Sequence, residues 1–162
     1  MLLLSSLVAC RSGEKELTLL PDGYTGPVLV LYEQRDGQPR EYRGNWRVFR
    51  IPASGVLKTQ FNRQYYSPDA EYYYSRGDRL VRKIAWLDGP AETSADTSVY
   101  VFGEEAGAGS LSPGEDSIAH PRLHFANFLV GHLADRDSLG KRAFRLEFEI
   151  LDKPNLGRQV HP

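Results

Sequence analysis

Turn-forming clusters punctuate this chain at short intervals, and they constrain its fold more than any other feature. Pro21-Asp22-Gly23, Arg35-Asp36-Gly37, Gly44-Asn45, Pro52-Ala53-Ser54-Gly55 and Arg76-Gly77-Asp78-Arg79 combine residues that fix φ, tolerate positive φ or hydrogen-bond their own backbone. The runs between them are too short for stable helices and match strands, which average about 5–6 residues. Glu16–Leu20, Pro27–Gln34, Arg40–Tyr42, Trp46–Ile51, Val56–Phe61, Glu71–Ser75, Leu80–Trp86 and Thr97–Phe102 read as strands. Pro27–Gln34, apolar through Leu31, suits a strand buried on both faces. Asp36-Gly37 after it reads as a hairpin turn, as does the Arg76–Arg79 loop between its two flanking strands.

The later half carries one clear pattern and one ambiguous one. In Ala143–Ile150, Phe144, Leu146, Phe148 and Ile150 alternate with Arg145, Glu147 and Glu149, the period of a half-buried antiparallel strand. Phe125, Phe128, Leu129 and Leu133 recur at helical spacing, yet Leu123–Val130 also suits a buried strand. The reading adopted is a strand to Val130, broken at Gly131, then a short helix over Ala134–Leu139 ended by Gly140. Gly103–Asp116, with four glycines and one proline, reads as a long loop. About seven to nine short strands with at most one or two short helices make a mainly β chain, and an antiparallel β-sandwich, transthyretin-like or Ig-like, is the expected architecture.

The N-terminus points to a location. Met1–Ala9 is apolar and uncharged, far short of the roughly 20 residues that a spanning helix needs. A short apolar core ending in small residues is the grammar of a secretory signal. Leu7-Val8-Ala9-Cys10 resembles the lipobox of bacterial lipoproteins, in which the chain is cut before a cysteine whose thiol carries diacylglycerol. That likeness implies residues 1–9 as signal peptide, Cys10 as the lipidated residue, and residues 10–16 as a polar tether. The opposing reading makes Cys10 an ordinary thiol, and the lack of Lys or Arg before the apolar run favours it. Cys10 is the sole cysteine of the chain, so no intramolecular disulfide can form.

Residues 17–152 then suffice for a single domain, with 153–162 as a C-terminal tail. The formal net charge is −1, which gives nucleic acid no electrostatic footing. Localisation in the cell envelope, facing the periplasm or the exterior, follows from the anchor.

Two of the turns carry a family resemblance. Leu20-Pro21-Asp22-Gly23-Tyr24-Thr25-Gly26-Pro27-Val28 and Ile51-Pro52-Ala53-Ser54-Gly55-Val56-Leu57, with Phe128-Leu129-Val130-Gly131 later, resemble a family of small uncharacterised bacterial lipoproteins that share a domain of unknown function. These motifs are turn chemistry and core, so the resemblance implies no catalytic residues. The Pro-Gly turns are also similar to those of transthyretin-like sandwiches, an analogy of fold alone.

Few residues suggest chemistry. His120 and His124 have the i, i+4 spacing of a helical metal site, but Pro121 interrupts a helix there and no Cys or carboxylate cluster completes the ligation. His132 shares the segment, and His161 lies in the tail. Ser110, Ser112 and Ser117 lack the Gly-x-Ser-x-Gly elbow of a hydrolase. No cofactor, metal or catalytic residue is therefore expected. Arg76-Gly77-Asp78 spells an adhesion tripeptide, although its turn chemistry alone accounts for it. Among the nine tyrosines, Tyr65 and Tyr66 precede the run Tyr72, Tyr73 and Tyr74. Consecutive strand residues point to opposite faces, so Tyr72, Tyr73, Tyr74 and Arg76 form a candidate binding surface unless both faces are buried.

The chain thus reads as a membrane-anchored, non-enzymatic binding or structural module of the envelope, with a protein or glycan partner. The rival reading is a small-ligand-binding protein or hydrolase with a pocket near residues 103–116 and His120/His124.

Overall fold

The computed structural model describes residues 13–64, 69–87, 97–109 and 123–151, with the backbone alone for residues 104–109 and 151. Among the described residues, nine strands precede a single helix: β1 (Lys15–Pro21), β2 (Gly26–Leu31), β3 (Glu41–Arg43), β4 (Trp46–Arg50), β5 (Val56–Lys58), β6 (Ala70–Arg76), β7 (Arg79–Leu87), β8 (Tyr100–Gly109), β9 (Leu123–Gly131), then a 3₁₀ turn at Leu133–Asp135 and α1 (Arg136–Leu151). The strands form one sheet in the order β3-β4-β1-β6-β7-β8-β9-β2-β5, curled into a half-barrel.

The mainly β expectation holds, and the antiparallel sandwich is corrected in both of its terms. The described strands build one curled sheet, and it is mixed: β1 runs parallel to β4 and β6, β2 to β5, and β7 to β8. The remaining pairs are antiparallel. The physical reason lies in the turns. Pro21–Tyr24 and Arg35-Asp36-Gly37 bend the chain as their residues dictate, but each sends it across the half-barrel instead of into a hairpin. Gly37 is needed for another purpose: a Cβ there would lie 2.6 Å from the carbonyl carbon of Lys58. The Arg76–Arg79 turn does form the expected hairpin β6–β7, and the Gly44-Asn45 turn joins β3 and β4 as a second one.

Curling brings the sheet's two ends together. Gln38, just before edge strand β3, forms a parallel bridge with Thr59, just after edge strand β5. The Gln38 side chain donates to the Val48 carbonyl at 3.1 Å and accepts from the Arg50 N–H at 3.1 Å. One amide thereby serves β4 as a strand partner would, where an edge would otherwise stay open.

The concave face holds the main core, which includes Leu20, Val28, Val30, Phe49, Phe61, Tyr74, Phe128 and Val130. α1 covers part of the convex face. Leu146 and Ile150 pack on Leu29, Leu31 and Leu123, while Leu139 and Ala143 pack against Phe102 and Leu129. Gly131 seats the helix: a Cβ there would lie 2.6 Å from Leu139 Cδ1.

α1 overturns two expectations. Ala143–Ile150 is helical, not an alternating strand, and Gly140 lies inside the helix instead of ending it. The same residues contain both periods. Leu139, Ala143, Leu146 and Ile150 form a stripe at i, i+4, i+7 and i+11, which faces the sheet as an amphipathic helix requires. Phe144 and Phe148 are left 73% and 64% exposed, so the alternation is not a burial pattern. The 103–116 segment is corrected in part: Gly103–Gly109 belongs to β8, with a register shift after Phe102 where Gly103 adopts φ 65°. Ser110–Asp116 lies outside the described residues. The ambiguous 123–130 segment is a strand, as read.

Candidate functional site

The two family turns meet at one end of the half-barrel. In the first, the Tyr24 N–H donates to the Pro21 carbonyl at 3.0 Å, with Gly23 at φ 74°. In the second, the Gly55 N–H donates to the Pro52 carbonyl at 2.9 Å, with Gly55 at φ 77°. Tyr24 locks them together. Its hydroxyl donates to the Pro27 carbonyl at 2.6 Å, and its own carbonyl accepts from the Tyr74 hydroxyl at 2.7 Å. Gly55 packs so closely that a Cβ there would lie 2.3 Å from Tyr24 Oη and 2.4 Å from the Pro27 carbonyl oxygen.

α1 passes beside these turns and leaves a cleft of about 540 Å³. The turns contribute Tyr24, Thr25, Ala53 and Ser54; the helix contributes Arg142, Arg145, Leu146 and Glu149. Arg142 reaches the first turn, since a Cβ on Gly26 would lie 3.4 Å from its Nη2. Among the described residues no carboxylate stands in ion-pair contact with Arg142 or Arg145. Burial pushes the Tyr24 phenol above its usual range, and the Arg142 charge pulls partly the other way. The phenol, the two hydroxyls and the two guanidiniums suit the binding of a polar ligand.

The other end of the half-barrel holds the start of β1. The Glu14 backbone is held by the Gln64 side-chain amide, accepting at 2.8 Å and donating at 3.0 Å, and Lys15 pairs with Asp69 at 2.7 Å. Beneath lies Arg47, fully buried and stacked 4.2 Å from the Phe61 ring. Its guanidinium donates to the Asn62 carbonyl at 2.5 Å and stands 3.6 Å from both Glu14 and Glu16. Cys10 itself, with Met1–Ala9, lies outside the described residues.

The residues singled out in the sequence do not gather into a surface. Tyr72 and Tyr74 are buried, 6% and 2% exposed, because they point into the concave core, where Tyr72 stacks on Trp86 and meets Phe128 edge-on. Tyr73 lies on the convex face, its hydroxyl 3.2 Å from Glu71 and Lys83 over its ring. Arg76 is exposed and pairs with Asp22 at 2.6 Å. A four-residue recognition surface is thereby corrected to Tyr73 and Arg76 on separate sides of the hairpin. Tyr65 and Tyr66 lie outside the described residues.

Asp78 pairs with Arg43 and Arg50 at 3.1 and 2.5 Å, so the Arg-Gly-Asp acid is engaged by the fold itself. His124 Nε2 lies 3.8 Å from Glu33 and His132 Nδ1 lies 3.2 Å from the Ser98 carbonyl. Eight residues separate them across β9, roughly 26 Å at strand rise, so they do not converge. His120, His161, Ser110, Ser112 and Ser117 lie outside the described residues. The alternating pattern puts Arg145 on a strand and leaves Arg142 in no element, whereas the Leu139/Ala143/Leu146/Ile150 spacing is the signal that places both on one helix.

Fold and cleft together define a small mixed-sheet β domain with one helix on its convex face. Residues 12–110 match the model of a family of unknown function, DUF6843. The chain belongs to that family, and the matched segment contains both turns that interlock at Tyr24. No curated protein matches. Among solved structures, the chain is similar to a crystal structure described as "Putative Lipoprotein from Bacillus anthracis", with 18% identity, a TM-score of 0.50, and coverage of 86% of this chain and 100% of that one. That likeness concerns the fold.

Proposed function

We propose that this chain is a lipoprotein of the bacterial cell envelope, anchored through Cys10, whose domain serves as a non-enzymatic binding or structural module. The observation that carries the reading is the clamped tether. The chain leading into β1 is fastened at Glu14, through Gln64 and Arg47. Three residues of extended chain reach about 10 Å. A lipidated Cys10 therefore holds the Lys15 end of the half-barrel close to the headgroups and directs the Tyr24 end outward. Acyl chains worth about 0.8 kcal/mol per buried CH₂ make such attachment lasting. The Bacillus anthracis neighbour and the family assignment agree with this reading.

Labelled-palmitate incorporation into the wild type and into Cys10→Ser tests it. The reading requires label and membrane fractionation in the wild type, and loss of both in the variant. Equal labelling of the two proteins would refute it.

A further inference from the structure

The cleft between the family turns and α1 has a chemical preference that can be read from its donors. We infer that it binds the oxyanion group, phosphate or carboxylate, of a small ligand. Arg142 and Arg145 lie one helical turn apart and both line it. With no carboxylate in ion-pair contact among the described residues, both guanidiniums keep their forked donors for a ligand. The turns add the hydroxyls of Thr25 and Ser54. Ser54 Oγ accepts only a long 3.4 Å contact from the Val56 N–H, so its own proton remains available.

Tyr24 plays a different part. Its proton is committed to the Pro27 carbonyl, so it positions the cleft wall and does not donate to the ligand. Gly26 leaves room for that wall, because a Cβ there would press on Tyr24 Oη at 3.0 Å, while Arg142 Nη2 at 3.4 Å would remain in ordinary contact. Glu149 also lines the cleft, one helical turn beyond Arg145. The inference does not depend on lipidation of Cys10, and it stands or falls separately from the anchor.

The probes are inorganic phosphate and acetate, each titrated into the ¹⁵N-labelled full chain to about 50 mM, a range that captures millimolar affinity. The expected result is saturable shifts confined to Thr25, Ser54 and the Arg142 and Arg145 side chains. Affinity falls as sodium chloride is added, and the tighter probe identifies the preferred group. Arg142→Gln weakens binding about tenfold or more, the scale of one charge-assisted hydrogen bond. Both arginines are exposed, so Arg142→Gln and Arg145→Gln leave the fold intact, which unchanged spectra elsewhere verify. Absence of saturable shifts with either probe would overturn the inference. So would shifts spread evenly over surface Lys and Arg residues, or shifts that persist unchanged in the double variant.

Discussion

Gly55→Ala puts the interlocked turns under the most direct strain. Gly55 holds φ 77°, and moving an L-residue into the left-handed region costs roughly 1–2 kcal/mol. The added Cβ would also lie 2.3 Å from Tyr24 Oη and 2.4 Å from the Pro27 carbonyl oxygen. The second of these atoms belongs to the backbone of β2 and cannot rotate away. Tyr24 can relieve the first contact by giving up its bond to Pro27, worth about 1 kcal/mol, while the second needs a shift of the backbone. The conformational and hydrogen-bond losses alone come to about 2–3 kcal/mol.

Gly44→Ala is the matched control. Its φ is 61°, with nothing within 4 Å of the added Cβ, so only the conformational cost of about 1–2 kcal/mol applies. Urea titration followed by intrinsic fluorescence measures both. With a slope of about 1–3 kcal/mol/M for a domain of this size, Gly55→Ala lowers the midpoint by about 1–3 M and Gly44→Ala by clearly less. Equal shifts for the two variants would refute the claim that Gly55 is required for packing and not just for its backbone angle.

The helical reading of 136–151 predicts that Phe144→Ser and Phe148→Ser change stability by no more than about 0.5 kcal/mol, whereas Leu139→Ala costs about 2–5 kcal/mol; a large loss at Phe144 in the same urea assay would restore the strand. Arg47→Met stays within about 1 kcal/mol of wild type, while Glu14→Gln with Glu16→Gln costs about 3 kcal/mol by leaving a buried cation uncompensated; the reverse order of midpoints would contradict the clamp. Hydrogen bonding to Arg50 holds the Glu41 carboxyl below its usual range, and Lys83 and Lys58 do the same for Glu71 and Asp36. Folded values below unfolded ones mean that this stability is present above about pH 4.3 and is lost as pH falls through the folded values. Urea midpoints should fall with acidification below about pH 5, and Arg50→Gln should flatten that fall.

Local chemistry was legible in the sequence, and long-range pairing was not. β2 was recognisable because Val28–Leu31 is apolar at every position, and the structure buries it on both faces. The Arg76–Arg79 hairpin was legible because such a turn sets its partner strands by proximity. Pro21–Tyr24 and Arg35-Asp36-Gly37 have equal turn character, yet nothing local states whether a bent chain returns to its neighbour or crosses the half-barrel. The parallel pairing of β1 with β4 and β6 follows from those crossings and was invisible for the same reason. At α1, alternating and helical periods coexist in eight residues, and tertiary packing chose between them. The cleft was half legible: both turns were singled out as motifs, while their meeting at Gly55 and Tyr24 needed coordinates. The tyrosine run misled because strand preference and recognition draw on the same residue, and only burial separates them.

The central claim is that the anchor holds the Lys15 end of the half-barrel at the membrane and turns the Tyr24 end away. Nitroxides placed singly by Asn45→Cys and Ser54→Cys in the lipidated protein on vesicles, read against a headgroup-bound relaxation agent, test it directly. Asn45 adjoins Trp46, which pairs with Lys15 at the tether end, and Ser54 lies in the turn at the cleft. The six residue steps of β1 separate the two ends by roughly 20 Å. The account predicts strong relaxation at position 45 and little at position 54; equal relaxation, or the reverse order, would contradict it.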